Sequence, residues 1–492
     1  MLGRVALAHP RPNGVRCCHV KWHQAMSTDS RCNEKTFPPG TWRAIPFQDV
    51  KSSTGGISME TRKRHRQKED YKLRTHLIHG NYDSKKWDYD HHVVPPVSHT
   101  TAYRLSSLER GARGFVQFAS ADEALSGHIP IYIYDRLDEP TRSMLEENLA
   151  YAEGGEICVT FASGMAGISA ALGTVLRQGQ EVVAHQILYG CTYSLMTNWL
   201  PRFGMQARFA DFLKPEALAA EITPSTRALY LETPINPTLE LIDIAAIRRV
   251  ADLANANREE KNRVLVIVDN TFATPYCQRP LRLGADLVVE SLTKGLGGFG
   301  TDMGGAVIAP KEWYNSVMLF RKDFGGVLSP RSAWGILVYG LPTLATRMHN
   351  MQKTAHHVAE FLSKHPKVAS VRYPGAENFP QKALAKRQML NPDGKFAPGS
   401  MLYFVLKGTD SKQTRAEKLV DYLAEHAYSV TLAVSLGQIK TLIEHPFSMT
   451  HAALPDEQKR SFGMHPEGVR LSIGLEDWHD IIRDLELALE RV

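Results

Sequence analysis

The sequence lacks the marks of a membrane, metal or nucleic-acid protein. Its six cysteines (Cys17, Cys18, Cys32, Cys158, Cys191 and Cys277) have neither metal-ligand spacing nor the density of a disulfide framework, so no metal site is expected and a reducing compartment is. A net charge of +6 is thin over 492 residues and argues against a nucleic-acid partner. Residues 157–176 carry no charge, a length that could suggest a membrane span. They read better as a strand "EICVTF", a break "ASG" and a short helix "MAGISAALGTVL", which leaves no membrane-spanning segment. Internal repeats and low-complexity tracts are also missing.

What is present is an ordinary soluble balance, 43% hydrophobic and 22% charged, in a chain too long for one ordinary domain. A large domain, a smaller one and an N-terminal extension are expected. Residues 1–60 form that extension. The first 28 contain Arg4, Arg11, Arg16 and Lys21 and no acid, a composition compatible with an organelle transit peptide, although its amphipathic periodicity is poor. A disordered tail, or a reading frame that truly starts at Met26 or Met59, fits at least as well. The run "RKRHRQKED" at 62–70 could resemble a localisation signal, but a solvated face is the preferred reading.

From about residue 150, short β-branched runs alternate with helical stretches: "EICVTF", "EVVAHQ", "RALYLETP", "RVLVIVDN" and "DLVVESLT", with "KPEALAAEI" and "IAAIRRVADLANANR" between them. That alternation predicts an α/β domain on a largely parallel sheet over 146–343. Ligands of such sheets gather beyond the carboxyl ends of the strands, where Asp269, Asn236 and Lys294 fall. After about residue 344 the helix "TAHHVAEFLSKH", a Pro/Gly loop, the strand "MLYFVLKG" and the helix "DWHDIIRDLELALERV" predict a smaller α+β domain over 344–492.

The stretch "SLTKGLGGFG", 291–300, sets Lys294 between hydroxyls and glycines. A lone lysine is most often a solvated surface residue; the alternative is covalent chemistry on a carbonyl. Ser291 and Thr293 beside it could bring a phosphate and a reactive amine together. "FASGMAGISAAL" places small residues at a helix start, where free N–H groups favour an anion. Asp269 ends a buried apolar strand and needs a partner there, for which a protonated pyridine nitrogen is suitable.

Together, "VDNTFATPY", "SLTK", "ASGM", "LYGCTY", "VSLGQIKTLIEHPFSMTH" and "VRLSIGLED" resemble, in the same order, the Cys/Met-metabolism (trans-sulfuration) family of pyridoxal 5'-phosphate (PLP) enzymes. The resemblance runs from about Ser98 to Val492. It implies an aspartate-aminotransferase-like fold (fold type I) with PLP held covalently by Lys294. By the same resemblance, Ser163, Gly164, Met165, Ser291 and Thr293 bind the cofactor phosphate, Asp269 holds the pyridine nitrogen, and Tyr189 stacks on the ring and serves as acid or base. Asn236 either touches the cofactor's phenolic oxygen or only shapes its turn. Arg470 clamps the substrate α-carboxylate with Ser435 beside it, although an ion-pair arginine and a turn serine are the plainer readings. The segment "YDRLDEPT" keeps Tyr134 and Arg136, which in the family reach the phosphate of the neighbouring subunit; residues 61–145 are then an intersubunit arm of a homodimer or homotetramer with shared sites. Two departures stand out: Glu139 where the family has Asn, and "GLGGFG" after the lysine.

For the reaction, cystathionine-using members carry Glu where this chain has Val434, while Cys191 with Lys322 and Asp323 is similar to the methionine γ-lyase pattern. Cys191 as a small buried hydrophobe and a solvated Lys–Asp pair are the bland alternatives. The resemblance therefore implies C–S bond elimination from a small sulfur amino acid, methionine or cystathionine, giving a 2-oxo acid, ammonia and a thiol. A transferase of the same family, cystathionine γ-synthase or O-acetylhomoserine sulfhydrylase, is the alternative, and a silent PLP-binding scaffold the third. A cytoplasmic location is expected, or an organelle if residues 1–58 are a transit peptide.

Overall fold

Apolar runs of five to seven residues, each broken by glycine or a polar turn, become strands because their β-branched side chains pack on both faces of a buried sheet. A computed structural model describes residues 71–80, 92–408, 413–452 and 455–492. The extension at 1–60, the run at 62–70 and the start of the proposed arm lie outside the described residues. All that is described belongs to one unit, His65–Val492.

Among the described residues twelve strands follow in chain order: β1 Ile157–Phe161, β2 Glu181–His185, β3 Gln206–Ala210, β4 Thr226–Glu232, β5 Leu265–Asp269, β6 Leu287–Glu290, β7 Gly305–Ala309, β8 Val368–Arg372, β9 Met401–Leu406, β10 Val430–Leu432, β11 Thr441–Glu444 and β12 Gly468–Ser472. The helices that matter for function are α1 Pro140–Glu153, α2 Gly164–Val175, α3 Gly190–Ser194, α4 Leu341–Lys364 and α5 Trp478–Glu490.

The first seven strands form one sheet in the order β1-β7-β6-β5-β4-β2-β3. β7 runs antiparallel to both neighbours and the remaining pairs are parallel. Every residue of β1, β2, β4, β6 and β7 is buried, the pattern of a sheet covered on both faces. The architecture is α/β, fold type I, as the sequence predicts. The uncharged stretch 157–176 divides into β1 and α2, and no helix among the described residues is long and apolar enough to cross a membrane.

The last five strands form a second sheet, β10-β11-β12-β9-β8, antiparallel except for β10 and β11. α4 and α5 pack against each other, and α4 also lies on β8 and β9. The change of pattern read near residue 344 falls in the first turn of α4, a 24-residue helix of which "TAHHVAEFLSKH" is only the later half.

Candidate active site

β6 ends at Glu290 and the chain turns at once through Leu292–Leu296, where Lys294 has φ −92° and ψ −132°, outside the helical region. A second turn presses on this one. A Cβ on Gly437 would stand 2.5 Å from the Gly295 nitrogen, so only glycine fits there. Ser435 holds φ 115°, a left-handed conformation that costs a residue with a side chain on the order of 1–3 kcal/mol. Its Oγ accepts a hydrogen bond from Lys294 Nζ at 2.9 Å. Burial pushes the lysine amine below its ordinary value, the Arg470 charge pushes the same way, and Glu444 opposes them. A lysine so placed reaches its neutral, nucleophilic form more readily than a solvated one.

Arg470 lies on β12 directly opposite Glu444 on β11. The arginine is 3% exposed, and its Nη1 sits 2.9 Å from Glu444 Oε1 and donates to Asn236 Oδ1 at 2.8 Å. Its Nη2 donates to the Ser435 carbonyl at 2.9 Å. The Asn236 side-chain oxygen is thus engaged by Arg470. Glu444 also accepts from Thr450 Oγ1 at 3.1 Å, and burial raises its carboxyl while Arg470 lowers it.

The parallel strands β4, β5 and β6 end side by side in acids: Glu232, Asp269 and Glu290. Asp269 accepts from the Thr271 amide at 3.0 Å and from the Tyr230 hydroxyl at 3.4 Å, and no ion pair reaches it among the described residues. Burial raises its carboxyl, and the Thr271 and Tyr230 bonds partly restore it. Glu232 accepts the Tyr189 amide, which places Tyr189 at the head of α3 with its side chain 43% exposed. The Tyr189 phenol is pushed up to about 12, first by its hydrogen bond with Cys191 and then by burial.

Across from the lysine turn stands the start of α2. The Ser163 hydroxyl caps it by accepting the Ala166 amide at 3.2 Å, leaving the Gly164 and Met165 amides at the free end of a 12-residue helix. A Cβ on Gly164 would come within 2.9 Å of Ser291 Cβ, so the helix end and the Ser291 hydroxyl face one small space. Thr293 Oγ1 is engaged with Gly304, accepting its amide at 3.1 Å and donating to its carbonyl at 3.3 Å.

Tyr134 and Arg136 make no hydrogen bond or ion pair with these groups among the described residues. Tyr134 is 44% exposed, and Arg136 Nη1 donates to the Lys322 carbonyl at 2.6 Å. Glu139 caps α1, its carboxylate accepting the Thr141 and Arg142 amides, so the departure from Asn keeps the turn by another cap. Cys191 is exposed, not the small buried hydrophobe of the bland reading. Val434 is exposed, and Lys322 and Asp323 pair at 3.2 Å near the surface.

Glu232 and Glu444 escaped the sequence reading. Glu232 carries the same signal as Asp269, an acid ending a buried apolar run, and could have been found by it. Glu444 could not, because its pairing depends on the register between β11 and β12, which no local pattern carries.

These residues fit PLP: an amine with lowered proton affinity, a buried carboxylate without a cation, and free helix amides beside a hydroxyl for a phosphate. The family model described as Cys/Met metabolism PLP-dependent enzyme matches residues 74–490. The chain is 41% identical over 403 residues to an L-methionine gamma-lyase of Fusobacterium nucleatum subsp. polymorphum, covering 81% of this chain and 94% of that one. It is 40% identical over 403 residues to an L-methionine gamma-lyase of Treponema denticola, covering 81% and 93%. Among solved structures it is similar to cystathionine gamma-lyase from Lactobacillus plantarum complexed with L-serine, with TM-score 0.73, 32% identity, and 85% and 99% of the two chains covered. Motif order, site geometry and this likeness over nearly the whole described region converge: the chain belongs to the PLP-dependent enzymes of Cys/Met metabolism.

Proposed function

We propose that this chain is a carbon–sulfur γ-lyase that cleaves methionine or a closely related sulfur amino acid to a 2-oxo acid, ammonia and a thiol. The observation that carries the reading is the Lys294 amine, held at 2.9 Å from Ser435 and lowered in proton affinity by burial, in a chain 41% and 40% identical to two L-methionine gamma-lyases. When bound, PLP supplies the electron sink that acidifies the substrate's Cα proton.

The chain's own residues do the rest. Lys294 would hold the cofactor, and its amine is placed to take the substrate's Cα proton. Asp269 holds the pyridine nitrogen. Gly164, Met165, Ser291, Ser163 and Thr293 hold the phosphate, with the two helix amides and Ser291 least committed elsewhere. Tyr189 flanks the ring and passes a proton to the departing sulfur, and Cys191 on the same turn tunes its phenol. Arg470 receives the substrate α-carboxylate, kept in place by Asn236 and Ser435. Tyr134 and Arg136 serve the phosphate of a neighbouring subunit, so the active unit is a homodimer or homotetramer. The free cysteines Cys158, Cys191 and Cys277 favour a reducing compartment, and we assign the cytoplasm.

The test is to incubate purified protein with methionine, with cystathionine, and with O-acetylhomoserine plus sulfide. A 2-oxo acid and a volatile thiol from methionine are expected. A thioether or thiol amino acid from the homoserine ester, without 2-oxo acid from methionine, overturns the lyase reading in favour of a transferase. In the same preparation, borohydride should abolish the cofactor's visible absorbance by trapping the cofactor on Lys294.

A further inference from the structure

Glu232 ends β4 as Asp269 ends β5, and the two are register partners on adjacent parallel strands. Glu232 is 8% exposed and has no ion-pair partner among the described residues. Both its oxygens lie 3.0 Å from a single donor, the Tyr189 amide. Burial and the neighbouring Asp269 raise its carboxyl well above the ordinary range. A charge here would be poorly compensated, so an acceptor oxygen explains this residue better than a negative charge does.

That donor opens α3. Tyr189 takes φ −52° and ψ 133° there, an extended residue joined to a helical segment that runs on from α3 through Leu195–Trp199, and the first turn is closed by the Tyr193 amide donating to the Tyr189 carbonyl at 3.0 Å. Tyr189 is about half exposed, so apart from its hydrogen bond with Cys191 little holds the side chain, and where its backbone sits bears directly on where the ring lies. The first turn of a helix without a side-chain cap has unpaired amides and frays readily unless something outside it holds its first residue.

We infer that Glu232 is a positioning residue: its carboxyl fastens the Tyr189 amide to the end of β4, and so sets the aromatic ring and Cys191 beside Asp269. The inference rests on the reading of Tyr189 as the residue that flanks the cofactor and moves a proton.

The experiment compares wild-type holoenzyme with Glu232→Ala, Glu232→Gln and Glu232→Asp. Residue-resolved amide hydrogen exchange is read over 187–193, together with the visible absorbance of the bound cofactor and the kinetics on methionine. In Glu232→Ala the Tyr189 amide should exchange about 10-fold faster or more, since one buried acceptor is gone. The cofactor band should shift, and kcat should fall about 10-fold with KM changed less. Glu232→Gln keeps an oxygen for the amide and should stay within about 3-fold of wild type in exchange and kcat. Unchanged Tyr189 exchange in Glu232→Ala, or equal loss of protection in Glu232→Gln, overturns the inference. Should the alanine variant fail to fold, Glu232→Asp, whose carboxyl is one methylene short of the amide, must show the loosening that Gln does not. Wild-type protein that turns over no sulfur amino acid, yet shows the expected exchange pattern, would end the lyase reading and leave this one standing.

Discussion

Two groups of buried charge lie on the large sheet, one against β1 and the other at the ends of β4, β5 and β6, and they are built on opposite rules. Around α1, charges are matched: Arg321 reaches Glu146 at 2.5 Å and Asp138 at 3.6 Å, and Arg142 reaches Asp135 at 3.1 Å, with both arginine side chains fully buried. At the ends of β4, β5 and β6, Glu232, Asp269 and Glu290 stand without a matched cation among the described residues, and the nearby Glu153 raises the Glu290 carboxyl further. Matched charge is self-sufficient and serves the fold. Charge of one sign, gathered where strands end, is tolerable only by holding protons or by meeting a positive ligand.

Breaking the matched group should give the largest effect. Arg321→Leu strands Glu146 and Asp138 in the interior and should destabilise the protein by about 3–5 kcal/mol in denaturant unfolding, while the protein that remains folded keeps its kcat within a few-fold. Arg470 belongs to both classes, being paired with Glu444 and aimed at substrate. Arg470→Ala should lower kcat/KM for all amino-acid substrates alike, by about 2–5 kcal/mol, and lower the melting temperature as well. Adding Glu444→Gln should recover the melting temperature and leave kcat/KM low; recovery of both would mean that Arg470 serves structure alone.

Asp269→Asn removes charge from the unmatched group. It should reduce kcat by about 100-fold, near 2.7 kcal/mol of barrier, with the melting temperature held or raised. A large loss of stability would show that the acid row serves the fold after all.

The smallest effect is a pH dependence. The Glu153 carboxyl is raised to about 7, chiefly by burial, so the folded protein keeps a proton that the unfolded chain has lost. Its contribution to stability is full below pH 4.5 and is lost as pH rises through about 7. Glu153→Gln should flatten that loss by roughly 1–3 kcal/mol in unfolding titrations across this window. His185, lowered to about 4 by burial, acts in the opposite sense: it costs stability as pH falls through 6.5 toward 4. Unfolding measured with and without His185→Gln separates the two slopes.

The difference between the two groups also marks how far the sequence could be read. Lys294 and Asp269 were legible because each ends a run of apolar β-formers, and in a parallel sheet such ends collect on one edge. The capped start of α2 was legible for the same local reason. The matched group was not, since Arg321 and Glu146 are 175 residues apart and only packing joins them. The Arg470–Glu444 pair needed a strand register that no local pattern carries. Ser163 and Thr293, assigned to the phosphate by the family resemblance, have hydroxyls bonded to nearby backbone groups of Ala166 and Gly304, as short polar side chains commonly do, and no sequence pattern shows such local bonds.

The turn at Ser435–Gly437 has a consequence for how the protein is made. Lys294 is held by a residue 141 positions further along, and the glycine that seats against its backbone is added to the growing chain later still. A ribosome therefore finishes β1 to β7 well before the lysine has its brace. During that interval the amine is an ordinary flexible side chain, without the burial that lowers its proton affinity, and it has no special appetite for the carbonyl compounds around it. Reactivity arrives with the last quarter of the chain, so an unfinished or truncated polypeptide is chemically quiet.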